Sequence, residues 1–95
     1  MKLPILVSAE AEKDIDEAFL WYELHSAGLG ERFIIFVEEG FEHVQLQPKG
    51  FPVVLKDIRK HIVRKFPFII YYRVNNNFSI EIIRILHNRR RQKLK

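Results

Sequence analysis

Residues 57–87 read DIRKHIVRKFPFIIYYRVNNNFSIEIIRILH. Side chains along a strand point alternately to the two faces of a sheet, so hydrophobicity with a period of two marks a strand. Ile58, Lys60 and Ile62 alternate with Arg59, His61 and Val63, and Phe66-Pro67 punctuates the run. Phe68, Ile70, Tyr72 and Val74 then share one face, and Ile69, Tyr71 and Arg73 share the other. Asn75-Asn76-Asn77 supplies a hairpin turn, because Asn tolerates the left-handed backbone that tight turns need. A last strand runs from Phe78 to about His87 through Ile80 and Ile82. The Ile82-Ile83 pair followed by Arg84 breaks its phase, which calls for a bulge or burial on both faces. Three antiparallel strands in a meander are predicted.

Working back towards the amino terminus, the period changes. Leu3, Ile5 and Val7 alternate over a short strand that meets Ser8, a good helix N-cap. Glu10, Glu12 and Asp14 follow, where the positive end of a helix dipole favours acid. Ala11, Ile15, Ala18, Phe19 and Tyr22 recur at spacings of three and four, predicting an amphipathic helix to about Leu24. Residues 25–30, with Gly28 and Gly30, form only a connection, so a second, antiparallel helix spans about 31–47 and stops at Pro48. Phe33, Ile34, Ile35, Phe36 and Val37 are consecutive and cover every azimuth of that helix. A sheet buries one side only, so the first helix or another protein must cover the rest, and Phe33, Ile34 and Val37 are candidate contacts for a partner. The fold class is therefore α+β: two layers, in the order strand, antiparallel helix hairpin, three-stranded antiparallel meander, with the helices on one face. Arg59, Arg73 and Arg84 are expected on the other.

Ninety-five residues suit one domain, residues 1–95, and 47% hydrophobic with 29% charged residues excludes a disordered or low-complexity chain. The absence of Cys removes disulfides, thiolate metal sites and a cysteine nucleophile. The apolar stretch before Ser8 is too short for a signal-peptide core, and no run approaches the roughly 18 apolar residues of a membrane span, so a cytoplasmic protein without membrane contact is expected. Charge is unevenly divided. Residues 1–47 hold three Lys and Arg against ten Asp and Glu, a net −7, whereas residues 48–95 hold thirteen against two, a net +11. That asymmetry points to an anionic partner for the second half, nucleic acid or an acidic protein, although a solvated basic surface has the same composition. Residues 88–95 are a basic segment expected to be mobile, with Arg89, Arg90 and Arg91 as phosphate-binding candidates. His25, His43 and His61 are scattered over loop, helix and strand, no H-E-x-x-H spacing occurs, and no metal site or cofactor is expected.

Trp21-Tyr22, Leu29-Gly30-Glu31-Arg32-Phe33, Phe51-Pro52, Ile58-Arg59, Arg64-Lys65-Phe66-Pro67-Phe68-Ile69-Ile70-Tyr71-Tyr72 and Ile83-Arg84-Ile85-Leu86-His87-Asn88-Arg89-Arg90, in that order, resemble the RelE/ParE superfamily of toxins from type II toxin–antitoxin systems. The resemblance spans nearly the whole chain. It implies a plasmid-stabilization type of toxin neutralised by a cognate protein antitoxin, as a hetero-oligomer with it or as a homo-oligomer alone. Two targets are known in the family: ParE-like members bind DNA gyrase, and RelE-like members cleave mRNA on the ribosome. The ribonuclease branch commonly carries an arginine after the aromatic that opens the middle strand, where this chain has Ile69 after Phe68, and a Tyr near the carboxy terminus, which residues 89–95 lack. The resemblance therefore implies gyrase binding and growth inhibition, and the charge division makes Arg59, Arg73, Arg84 and residues 89–91 the expected contacts to an anionic surface of target or antitoxin. The alternative is an endoribonuclease with His87 as acid or base beside Arg84 and Arg89. A non-toxic basic nucleic-acid-binding module is a third reading.

Overall fold

The computed structural model describes residues 2–90 and Leu94. Strand β1 (Ile5–Val7) leads into helices α1 (Ala9–His25) and α2 (Leu29–Leu46), followed by β2 (Val53–Leu55), β3 (Ile58–Ile62), β4 (Phe68–Asn75) and β5 (Ser79–His87). The strands form one sheet in the order β1-β5-β4-β3-β2, with β1 parallel to β5 and every other pairing antiparallel. The meander thus has one strand more than the sequence pattern predicts. Val53 pairs with Arg59 and Leu55 with Ile58. Three residues between Pro52 and Lys56 are too few to display a period of two.

Ser8 ties helix to sheet. Its Oγ accepts the amide proton of Ala11, 3.0 Å away, capping α1, and donates to the carbonyl of Ile83 at 2.9 Å. The Glu23 carboxylate accepts from the amides of Gly28 and Gly30 at 2.9 and 3.0 Å, placing negative charge at the positive end of α2. Gly30 also lets the helices close up, since a Cβ there would stand 2.8 Å from both the ring and the carbonyl oxygen of Phe19.

The main core lies between the helices and the sheet. Ala11 and Ala18 of α1, Phe33, Val37 and Val44 of α2, and Ile70, Tyr72, Ile80, Ile82 and Ile85 of the sheet are buried together, with Phe68 and Val74 packed against them. Alternation in β4 is as the sequence predicts. Ile69 and Tyr71 belong to a second cluster with Ile58 and Leu86, against which Ile83 and Leu94 pack. Both remedies for the broken phase of β5 are used. Tyr72 pairs with Ile82 but Tyr71 with Arg84, so Ile83 is a bulge, and beyond it Ile85 joins the main core and Leu86 the second cluster.

Candidate functional site

Strand β1 accompanies β5 only as far as Ile82. Beyond that point side chains take over the edge: Ser8 Oγ on the Ile83 carbonyl, and the Asp14 carboxylate accepting from the Ile85 amide at 3.0 Å. Where they stop, a cleft of about 500 Å³ opens between α1 and the ends of β4 and β5. Asp14, Glu17 and Trp21 line its helical wall, and Phe68, His87 and Arg90 its sheet side.

His87 is at the cleft, with one ring nitrogen engaged. The Arg89 amide donates to its Nδ1 at 3.2 Å, and its ring meets Phe68 edge-on with centroids 5.5 Å apart. Arg84, its expected neighbour, is committed elsewhere. Nε and Nη2 of Arg84 donate to the two carboxylate oxygens of Asp14 at 2.8 and 2.9 Å, and Glu10 stands 3.9 Å from Nη1. The hydrogen bond to Asp14 raises the Arg84 pKa above its ordinary value against the opposing effect of burial. In register with Tyr71, Arg84 starts from the far face as expected, but it bends round the edge of β5 that β1 leaves open, which corrects the expectation that it is available to an anion: Asp14 of α1 takes it up.

Arg59 is corrected too. It pairs in register with Tyr72, whose side chain is in the main core, so Arg59 is on the helix side of the sheet. There it donates to the carbonyls of Phe51 and Lys49 at 2.7 and 3.2 Å, fastening the segment after α2. The nearby Tyr72 hydroxyl donates to the Pro48 carbonyl at 2.8 Å, and burial pushes its pKa up to about 12, with Arg59 opposing. Arg73 does share the far face with Ile69 and Tyr71, yet it is neutralised by Asp57 at 3.3 Å and Glu81 at 3.6 Å. Those are the only two carboxylates of residues 48–95. Arg89 and Arg90 are exposed, and no ion pair to either occurs among the described residues; Arg91 lies outside them.

On α2, Phe33 and Val37 are core residues, at 0% and 2% exposure, so they cannot present themselves to a partner. Ile34 is half-buried, and Ile35 is the member of the run that reaches solvent. More exposed apolar residues lie on α1, beyond the candidates on α2: Leu20, Trp21 and Leu24 are 56%, 57% and 77% exposed. Their signal was legible, since all three fall off the stripe of Ala11, Ile15, Ala18 and Tyr22. His25 stacks on Trp21 at 3.8 Å between centroids, stiffening this face beside the cleft. His43 and His61, far apart in sequence, meet across α2 and β3, where burial and then the neighbouring His43 lower the pKa of His61, with Glu39 opposing.

The family model of the ParE toxin of type II toxin–antitoxin systems, parDE, matches residues 5–92. The chain belongs to the ParE toxin family. Among solved structures, the chromosomal ParDE toxin–antitoxin system from P. aeruginosa is similar in fold, with a TM-score of 0.79 over 90% of this chain and 96% of that one at 19% identity. No curated protein matches the chain. The helix hairpin packed on an antiparallel meander, with a parallel first strand, is thus the ParE arrangement.

Proposed function

We propose that this ParE-family chain inhibits growth in the cytoplasm by binding DNA gyrase, and that a cognate antitoxin neutralises it by covering the Trp21 face and the adjoining cleft. The observation that carries the reading is the engagement of Arg84 by Asp14. Cleaving RNA through its 2′-hydroxyl requires a proton acceptor, a donor for the leaving oxygen and cations aimed at the phosphorane. At the cleft beside His87, the nearest strand arginine is neutralised by Asp14, His87 Nδ1 already accepts the Arg89 amide, and Glu17 presents negative charge where a phosphodiester would lie. These features favour a binding inhibitor. Arg89 and Arg90 supply unneutralised cations for the target or for an acidic antitoxin segment, while Trp21 and Leu24 supply the apolar contact.

His87 and Arg90 at one cleft keep the endoribonuclease as the competing reading. Both are tested together by expressing the chain without its antitoxin. Growth arrest with relaxed plasmid DNA and intact mRNA is expected. Arrest accompanied by codon-positioned cuts in mRNA that disappear in His87→Ala would establish the ribonuclease instead. Unimpaired growth with folded protein would leave the non-toxic module.

A further inference from the structure

We propose that an extended segment of the antitoxin adds to the sheet inside the cleft, running parallel to β5 in line with β1. The inference rests on the reading that the antitoxin covers this cleft, and it names the contact made there. The Asn88 amide donates to the Pro67 carbonyl at 2.9 Å, so Pro67 and Asn88 are a hydrogen-bonded pair. Next along the ladder Phe68 lies opposite His87, and two residues further Ile70 lies opposite Ile85. Bonded and non-bonded pairs alternate between antiparallel strands, so the backbone groups of His87 and Ile85 point away from β4. Two of those four groups are engaged: the Ile85 amide donates to Asp14 at 3.0 Å, and the His87 carbonyl accepts from the Arg90 amide at 2.8 Å. The other two, the Ile85 carbonyl and the His87 amide, have no hydrogen-bond partner among the described residues, and both residues line the cleft.

The spacing of that carbonyl and amide sets the direction. In a parallel pairing, one residue of the added strand donates to the first and accepts from the second. Strand β1 already pairs with β5 in this sense: the Ile80 amide donates to the Pro4 carbonyl at 2.9 Å, and the Ser8 amide to the Ile82 carbonyl at 3.0 Å. An antiparallel strand would use both groups of Ile85 or both of His87, and Asp14 and Arg90 each hold one of these. Two copies of this chain joined symmetrically through the edge would run antiparallel or set like groups against each other, so the occupant is a different chain. The walls add side-chain chemistry. Trp21 and Phe68 suit an apolar side chain, Arg90 a carboxylate and Glu17 a cation. The occupant is thus an extended apolar segment flanked by charges of both signs, held by its main chain and selected by its side chains.

The test follows amide hydrogen exchange by NMR in the isotope-labelled full chain, alone and with its antitoxin. The His87 amide should exchange freely in the chain alone and at least about tenfold more slowly in the complex. His87→Pro removes that amide but none of the bonds to β4, a change that a sheet edge tolerates. It should weaken antitoxin binding at least about tenfold, whereas His87→Ala, which keeps the amide, should weaken it far less. Antitoxin binding that leaves the His87 amide exchanging freely, or that both variants weaken equally, would overturn the added strand and leave the docking site standing. Close contacts between α-protons of the antitoxin and of β5, which antiparallel strands make, would overturn its direction. Protection of the His87 amide in the chain alone would show the edge already occupied and overturn the proposal. Failure of the antitoxin to bind at all would overturn both the strand and the reading on which it rests.

Discussion

Asp14→Ala tests the reading of Arg84 as a structural rather than a catalytic cation. The Asp14 side chain is 8% exposed and that of Arg84 18%, so both are largely removed from water. Asp14 accepts two charge-assisted bonds from the guanidinium, at 2.8 and 2.9 Å, and one from the Ile85 amide at 3.0 Å. Removing one partner of such a pair strands the other charge, at about 3–5 kcal/mol. Glu10, 3.9 Å from Arg84 but 77% exposed, can recover a part, so the lower end, about 3 kcal/mol, is expected. A domain of this size is stable by about 5–14 kcal/mol in total, so the loss is large. Asp14→Ala with Arg84→Met should regain about 1–2 kcal/mol of it, since no charge is then left unpaired. Urea denaturation of the purified proteins measures both. A cost for Asp14→Ala under about 1 kcal/mol, or a double variant no more stable than the single, would refute the reasoning.

Tyr72 sets an alkaline limit to stability. Its folded-state pKa of about 12 lies above the ordinary 10, so its contribution is intact below pH 10 and is lost as pH rises from 10 through 12. Two units correspond to roughly 2.7 kcal/mol at most, and Tyr72→Phe should flatten that part of the profile in denaturation curves from pH 9 to 11.5. Trp21→Ala should weaken antitoxin binding by about 2 kcal/mol or more, the hot-spot scale for a buried aromatic anchor, while changing the midpoint of urea denaturation little; isothermal titration with the antitoxin checks this. Arg89→Ala with Arg90→Ala should weaken target or antitoxin binding and reduce its dependence on salt, because these exposed cations, without an ion pair among the described residues, are screened by ions; titrations at two salt concentrations compare the slopes.

What the sequence revealed and concealed follows from the range of the interactions. The faces of β4 were legible because a period of two is local, and Phe68, Ile70, Tyr72 and Val74 went to the main core. The side taken by Arg59 was not, because its β3 is short and the register with Tyr72 decides which way it points. Five consecutive apolar residues on α2 could not show which azimuth is buried; the stripe of Phe33, Val37, Gly40 and Val44 emerges only against the sheet. The charge division was visible, but not its cancellation. Asp57 and Glu81 both go to Arg73, and Arg84 reaches back 70 residues to Asp14. His87, named from sequence, does line the cleft, whereas Asp14, Glu17 and Trp21 join it through the packing of α1 on β5.

Under the proposed function, this ParE-family toxin acts by binding gyrase rather than by cutting RNA. The most direct measurement is ATP-dependent supercoiling of relaxed plasmid by purified gyrase, with the purified chain added across a concentration series and then titrated with its antitoxin. Dose-dependent loss of supercoiling is expected, reversed at one equivalent of antitoxin, and His87→Ala should inhibit as the unmodified chain does. Undiminished supercoiling at concentrations of the folded chain that arrest growth would contradict the proposed function.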